Sequence, residues 1–570
     1  MQTPASDAGE NVRDRIDLLI ETSWEVCNKI GGIYAVLSTK ARRLKETMGD
    51  KLLFIGPDVW SDENPSPVFK EKKSIFKSAS SKLQLPWGIK IRTGRWDIPG
   101  QPQVILVDPG ETEKNLDPIY AGMWENFKVD SLHSYGDYAE SCAFAVASAI
   151  VIKALGAHLK TDESRIVAHF DEWTTGMGLL YTRLTMPRTA TVFTTHATSI
   201  GRSICGNGKP LYEYFNNYNG DQMAAELNMQ SKHSLEKAAA HAADCFTTVS
   251  EVTARECEQL LAIRPQVVTP NGFEPDFVPK TAKYNRLRKE GRQKLISVAS
   301  ALTKKHFDES TFIIATSGRH EYRNKGLDLF LDSLVKMEEE MPASASALAF
   351  ILVPGWVKAP SGSLLMTLDF EGKDSAAPDF LTHRLFNEDS DSVCVRIREL
   401  RDAGKLNKIR VVYVPDYLDG HDGIIDIAYY DLLPALDLTL FPSYYEPWGY
   451  TPLESAAFGV PTVTTDKAGF GQWVLDNFKN GLRQCGVYVV DRGDSDYFRS
   501  RDLIAGAAAG YLAEDAVNRS EARHAAFLTS EKADWNFFVK YYYEAFETAL
   551  DRASRRLDSG KTLFLKISES

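Results

Sequence analysis

Two glutamates, Glu446 and Glu454, bracket an aromatic loop and the start of a helix in the stretch Phe441 to Trp473, FPSYYEPWGYTPLESAAFGVPTVTTDKAGFGQW. The apolar run Leu436 to Phe441 reads as a buried strand leading into it. Pro442 to Tyr450 is interrupted by Pro and Gly and can continue neither strand nor helix. Thr451 as an N-cap and Pro452 at the first helical position then open a short helix. Gly459 and Pro461 end it, and Val460 to Thr464 reads as the next strand. A strand tip, a loop carrying a carboxylate and a helix N-terminus facing one space suit a ligand that is both sugar and phosphate. A glutamate pair at this spacing also arises by chance, so the weight falls on the residues around it.

The complementary charge lies in FIIATSGRHEYRNKGL, Phe312 to Leu327, where a buried strand delivers Arg319 and Lys325 on one Gly-punctuated turn leading into a helix. Alone, two such cations would be ordinary solvated surface. At the carboxyl end of a strand they suit a diphosphate leaving group, whose growing negative charge a fixed positive charge stabilises. Arg offers a planar fork and Lys a compact point charge. Upstream, EVCNKIGGIY, Glu25 to Tyr34, pairs Gly31 with Gly32 before a helical pattern, which lets backbone N–H groups approach a ligand closely. Gly-Gly by itself marks no more than a tight turn. TVFTTHATSIGRSIC, Thr191 to Cys205, sets His196 directly after a strand, with Arg202 in a Gly-led turn. IVAHFDEWTTG, Ile166 to Gly176, ends another strand in a polar, aromatic cluster. There His169 fits the core or a cleft equally well, and Glu172 and Trp173 read as holding the strand end. His233, Glu236 and His241 read as packing or capping residues.

The run SYYEPWGYTPLES followed by GVPTVTT and GFGQW resembles the donor-site signature of the eukaryotic-type glycogen synthases, glycosyltransferase family three. Asn-Lys-x-Gly-Gly-Ile-Tyr, His-Ala-Thr followed by Gly-Arg, Pro270-Asn271-Gly272 and Ser-Gly-Arg with Asn-Lys-Gly continue the likeness, which runs from about Glu21 to Tyr542. The resemblance implies an α/β chain of the GT-B fold, two Rossmann-like doubly wound domains facing across a cleft. It implies retaining transfer of glucose from UDP-glucose to the non-reducing end of an α-1,4-glucan, with neither metal nor cofactor. On that basis Glu446 lies beside the transferred glucose, Arg319 and Lys325 hold the diphosphate, His196 contacts the sugar and Arg202 reaches phosphate. Lys29, Gly31 and Gly32 sit near the donor phosphates or the acceptor end. Glu454 holds the ribose hydroxyls, Tyr450, Thr451 and their helix N-terminus bind phosphate, and Tyr429 stacks on uracil.

The chain departs from the family's pattern in places. Asp171 stands where the family carries a second histidine, and Val414 and Asp416 replace the histidine and glutamate of its His-Pro-Glu-Phe-Leu run. The helical insertion between Trp356 and Ile409 is short, so the family's tetramer is not implied, although a homo-oligomer stays open. Only Arg519 and Arg523 stand near the place of the arginine-dense helix that binds glucose 6-phosphate, so activation by that sugar is not implied either. The rival readings are another GT-B transferase (ADP-glucose starch or glycogen synthase, sucrose or trehalose-phosphate synthase type) and a non-catalytic glucan-binding scaffold.

Composition bounds the rest. At 570 residues the chain exceeds one core. Short β-branched runs alternating with helical patterns indicate parallel sheets with crossover helices. The expected division is an acceptor-side domain over residues 1–275 and a donor-side domain over 276–530, carrying the insertion at about 357–409. A C-terminal helix over 531–570 is expected to pack back on the first domain, since Trp535, Phe538, Tyr542 and Phe546 recur at helical spacing. A polar, basic segment, Pro275 to Ser310, separates the two sets of strands. A net charge of -11 argues against nucleic acid or an anionic membrane as the main partner. Seven scattered cysteines, with no Cys-x-x-Cys pair, favour free thiols in a reducing compartment. No signal peptide is visible, and Cys142 to Ile152 is too short an apolar run to span a bilayer, which together indicate a cytoplasmic protein.

Overall fold

The structure, a computed structural model, describes residues 4–61, 63–369 and 378–558. The chain forms two compact units, Met1–Glu274 together with Asp534–Ser570, and Pro275–Ala533.

The strands of the first unit are β1 (Leu18–Thr22), β2 (Leu52–Pro57), β3 (Phe69–Glu71), β4 (Lys90–Trp96), β5 (Gln103–Asp108), β6 (Ile166–Asp171), β7 (Ala190–Thr195), β8 (Cys245–Thr248) and β9 (Val267–Val268). They make one sheet in the order β3-β4-β5-β2-β1-β6-β7-β8-β9. All pairings are parallel except β3 with β4 and β4 with β5 at one edge. Every residue of β1, β2, β6, β7 and β8 is buried, as expected for a parallel sheet covered on both faces. The apolar run Cys142 to Ile152 lies in a longer helix, Tyr138–Leu159, which is long and apolar enough by composition to cross a membrane. Its most apolar window is 67% buried inside the unit, packed with helix Trp173–Thr185 in the main core. The final helix, Trp535–Asp558, packs on β7, β8 and helix Gly32–Met48. Trp535, Phe538, Tyr542 and Phe546 are all buried, and the Trp535 indole N–H donates to Thr39 Oγ1 at 2.8 Å.

The second unit holds β10 (Phe312–Ser317), β11 (Ala347–Leu352), β12 (Val357–Pro360), β13 (His383–Leu385), β14 (Ile409–Val414), β15 (Leu438–Leu440), β16 (Thr462–Thr465) and β17 (Val487–Val490). Six of these make an all-parallel sheet, β14-β11-β10-β15-β16-β17, while β12 and β13 pair separately as an antiparallel ribbon. The region read as a helical insertion is therefore mixed where it is described: that ribbon, helix Gly362–Asp369 and helix Ser392–Asp402. The basic segment read as a separator is largely a helix of this unit, Thr281–Thr303. Arg292 has fixed partners, bonding Asp437 Oδ2 at 2.9 Å and the carbonyls of Glu309, Thr311 and Ala435.

Counting only the strands that run parallel, both sheets follow the order 3-2-1-4-5-6, with β9 added at the far edge of the first. In such sheets the strand order reverses at one point, and the loops leaving the two strands there diverge to leave a crevice. In the first unit that point lies between β1 and β6, in the second between β10 and β15.

Candidate functional site

In the second unit the loops leaving β10 and β15 are fastened together at the reversal point. Asn324 O accepts the N–H groups of Tyr444 at 2.8 Å and Tyr445 at 3.1 Å. Gly326, at φ +67°, packs so tightly that a Cβ there would lie 2.0 Å from Pro442 O. Only glycine takes both that backbone angle and that approach. The fastening brings the Lys325 ammonium onto Glu446 Oε2 in an ion pair whose side chains are 14% and 13% exposed. Arg319, on the same turn, is more open and pairs with Glu321 Oε1 at 2.9 Å. Glu446 itself is placed by its backbone, whose carbonyl accepts Gly469 N–H at 3.1 Å. Behind it, Tyr444 donates its hydroxyl to Asp494, and the Arg492 guanidinium lies 5.7 Å over the Tyr444 ring.

Helix Tyr450–Ala457 begins two residues earlier than its composition indicates. Its N-cap is Gly449 at φ +101°, so Tyr450 opens the helix, and Thr451 and Pro452 sit inside its first turn. Pro is tolerated there because first-turn N–H groups have no intrahelical partner. One turn on, Glu454 Oε1 accepts the Tyr430 hydroxyl at 2.7 Å. Burial pushes the Glu454 carboxyl up to about 7, against the lowering effect of that hydrogen bond. Tyr429 opens helix Tyr429–Leu432 and shares a 2.7 Å hydrogen bond between its hydroxyl and Ser317 Oγ at the end of β10.

In the first unit the loop after β1 and the end of β6 carry a different chemistry. Glu25 Oε2 accepts the N–H groups of Gly31 at 2.7 Å and Tyr34 at 2.8 Å, folding the loop back beneath helix Gly32–Met48. Lys29 stands exposed on that loop, and Gly32 has open space where a side chain would be. At the end of β6, Asp171 Oδ1 accepts from His196 Nε2 at 2.9 Å, and Glu172 Oε1 accepts the His196 N–H at 2.8 Å. Burial raises the Glu25 and Glu172 carboxyls, opposed by the backbone N–H groups that bond each of them and, for Glu172, by the Arg202 charge. Lys29, Gly31, Gly32, His196 and Arg202 thus share one end of one sheet, as Glu446, Arg319, Lys325, Tyr429, Tyr450, Thr451 and Glu454 share one end of the other. Arg202 lies on helix Ser199–Gly206 rather than in a turn.

His169 belongs to the core. Its Nδ1 lies 3.1 Å from Glu21 Oε1, its Nε2 lies 2.6 Å from Thr194 Oγ1, and Tyr542 and Phe546 flank the ring. Glu21, His169 and Asp171 converge closely enough to hold a cation, and the cation there is the Lys40 ammonium, 2.7 Å from Glu21 Oε2.

The family model for glycogen synthase matches residues 21–363 and 362–559, nearly the whole chain. The chain belongs to the glycogen synthase family. The glycogen [starch] synthase of Caenorhabditis elegans is 28% identical over 97% of this chain and 91% of its own length. The human liver glycogen [starch] synthase is 28% identical over 94% of this chain and 84% of its own. Among solved structures, the catalytic domain of starch synthase IV from Arabidopsis thaliana, bound to ADP and acarbose, superposes with a TM-score of 0.57 at 13% identity, covering 94% of this chain and 100% of that one. The α,α-trehalose 6-phosphate synthase of Burkholderia multivorans gives 0.51 at 12% identity, covering 96% and 99%. The fold is GT-B and the protein is a glycogen synthase-type glycosyltransferase.

Within that family assignment, several residues that build the site carry no signal of their own in the sequence. Glu25, Asn324 and Tyr430 act through contacts between loops that chain spacing does not reveal. Glu236 is legible only as a capping residue, and it caps helix Ser199–Gly206 by accepting Ser199 N–H at 2.9 Å and Ser199 Oγ–H at 2.6 Å. Arg519 and Arg523 are engaged with their own unit: Arg523 bonds Leu436 O at 2.9 Å and the Tyr284 hydroxyl at 2.7 Å, and Arg519 bonds Leu512 O and lies over Phe312.

Proposed function

We propose that the chain transfers glucose from UDP-glucose to the non-reducing end of an α-1,4-glucan, with retention at the anomeric carbon and without a metal. The observation that carries this reading is the Lys325–Glu446 ion pair at the strand reversal of the second unit, with Arg319 and the first turn of helix Tyr450–Ala457 beside it. A nucleoside diphosphate sugar has one demand for each part. Its diphosphate takes the charges of Arg319 and Lys325 and the N–H groups at Tyr450 and Thr451. Its ribose hydroxyls suit Glu454, and its base suits the face of Tyr429. Glu446 then stands beside the glucose, where a carboxylate stabilises positive charge at the anomeric carbon.

Lys325 and Glu446 neutralise each other in the free protein, and arrival of the diphosphate gives Lys325 a second anion to serve. In the first unit, His196 meets a sugar hydroxyl, and Arg202, Lys29 and the amides at Gly31 and Gly32 serve the phosphate or the incoming chain. All seven cysteines are free and buried, which supports the reading of a reducing, cytoplasmic setting.

The decisive assay measures glucose incorporation into glycogen from UDP-glucose and ADP-glucose in parallel, with and without glucose 6-phosphate. The expected result is transfer from UDP-glucose, unaffected by the effector. Preference for ADP-glucose would overturn the donor assignment, and glucan binding without transfer from either donor would overturn the enzyme reading.

A further inference from the structure

The reading of His196 as a sugar contact, on which this inference rests, requires something to aim its ring. Two consecutive acids at the end of β6 divide that work. Glu172 holds the backbone: its Oε1 accepts the N–H groups of His196 at 2.8 Å and Ala197 at 3.2 Å. It does so from φ +67° and ψ 166°, a region costly for any residue with a Cβ, so strain is concentrated at this strand tip. Asp171 holds the ring, through the 2.9 Å bond from His196 Nε2 to Oδ1.

Asp171 is 1% exposed, and its other oxygen, Oδ2, is buried with no hydrogen-bond partner among the described residues. A carboxylate retained only for packing would be expected to satisfy both oxygens. Among the described residues the bond to His196 is the one hydrogen bond the side chain makes, and the surroundings keep the group charged to make it. Burial would push the Asp171 carboxyl up. The charge of His169, whose Nε2 is 4.0 Å from Oδ1, the His196 hydrogen bond and the charge of Lys40 more than offset this and hold it below the ordinary carboxylate range. The charged groups facing His196 are Glu25 from the loop after β1, and Asp171 and Glu172 from the end of β6, with Arg202 facing Glu172 from helix Ser199–Gly206.

We propose that Asp171 is a positioning residue for the transfer reaction: its carboxylate fixes the proton of His196 on Nε2 and turns Nδ1 toward a hydroxyl of the bound sugar. An imidazole nitrogen bonded to a carboxylate must carry the proton, and that choice sets what the other nitrogen offers. Among the described residues nothing bonds His196 Nδ1, so it is the ring atom left to meet a ligand.

The test combines Asp171→Asn, His196→Ala and the double variant with nitrogen NMR of histidine-labelled protein. Asn keeps the shape but can present an N–H to the ring, so it no longer dictates the tautomer. The expected result is a fall in kcat of ~10- to 100-fold for Asp171→Asn with UDP affinity unchanged. The double variant should be no slower than His196→Ala alone, because the two residues act as one unit. The His196 resonances should show the proton on Nε2 in the unsubstituted protein and lose that single form in Asp171→Asn. Full kcat in Asp171→Asn, or losses that multiply in the double variant, would overturn the proposal. So would a proton on Nδ1 in the unsubstituted protein, which decides the matter even if the Asn variant does not fold. His196→Ala with undiminished transfer would instead sink the sugar-contact reading itself, whereas an inactive His196→Ala beside a fully active Asp171→Asn sinks only the role given to Asp171.

Discussion

The two units place charged residues at the same point of the same strand order, yet satisfy them in opposite ways. In the first, the carboxylates are turned inward and bonded within the unit: Glu21 to Lys40 and His169, Asp171 to His196, and Glu25, Glu172 and Glu236 to backbone N–H groups. In the second, Lys325 and Glu446 are part-exposed and paired with each other. Arg319, with its side chain 55% exposed, pairs with a neighbour on its own turn. Groups sealed in the interior depend on their partners and cannot exchange them without leaving a buried charge. A pair near solvent has already kept part of its hydration, so it can open toward a ligand at modest cost. The first site is a rigid frame, and the second is a set of charges ready to be re-partnered.

The strongest way to break that contrast is to remove the one carboxylate assigned to chemistry. Glu446→Ala should lower glucose transfer on the order of 10³-fold while UDP binding by calorimetry stays within a few-fold. Equal loss of transfer and of UDP binding would mean that Glu446 serves to hold Lys325 rather than to act on the sugar. The matching experiment in the first unit is Lys40→Met, which removes the cation paired with Glu21 and fills its volume. It should destabilise the protein by about 3–5 kcal/mol, because the buried carboxylate is left uncompensated. Urea denaturation would register this, and a change below about 0.5 kcal/mol would show that the frame does not depend on its internal charge balance.

Glu454 sharpens the comparison, because it is a carboxylate of the second site that burial raises, as burial raises Glu25 and Glu172 in the first. Its folded-state value of about 7 lies above the unfolded value, so the native protein binds the extra proton in the interval between them. Stability should therefore fall as pH rises from about 4.3 toward 7, by about 4 kcal/mol in all, and level off beyond. Glu454→Gln removes the ionisable group and with it this part of the slope. Urea midpoints at pH 5 and pH 8 test the point: a slope unchanged by the substitution would place its origin elsewhere.

What could be read beforehand follows the same division. The parallel strands were legible because their apolar runs are buried on both faces, and the residues expected at their carboxyl ends lie there because the topology leaves them no other place. β1 was not legible, although it is the centre of its sheet: its five residues end in Glu21 and Thr22, and the Glu21 charge is held there by Lys40 and His169, which arrive from elsewhere in the chain. Strand β4, KIRTGRW, which lies between the short edge strand β3 and β5, carries Lys and Arg and so reads as loop. Thr451 and Pro452 suggested the helix start because Ser/Thr and Pro commonly stand there. Gly449 took the N-cap because its φ of +101° and the closeness of Glu446 Cγ, 3.3 Å from where a Cβ would be, suit no larger residue. Local composition signals which elements exist, whereas partners distant in sequence decide which polar residues may lie inside them.

Glu236 gives the mildest test of that last point. It is fully buried, and burial, with the neighbouring Glu172 charge adding to it, pushes its carboxyl up to about 8. At pH 7 the group is therefore mostly neutral, and its own hydroxyl proton must be donated while the other oxygen accepts Ser199 N–H. Glutamine can reproduce that pattern, its carbonyl accepting from Ser199 and its N–H₂ donating toward Thr195 Oγ1, which lies 3.1 Å from Glu236 Oε1. Glu236→Gln should thus change stability at pH 7 by less than about 1 kcal/mol. The unsubstituted protein binds this proton between the unfolded and folded values, so its stability declines as pH rises through that interval, and the variant should lack the decline and be the more stable of the two at pH 9. Urea midpoints at pH 7 and pH 9 measure both effects. A large loss already at pH 7 would mean that Glu236 is charged in the native protein, and that the cap of helix Ser199–Gly206 depends on a carboxylate rather than on the shape of its hydrogen bonds.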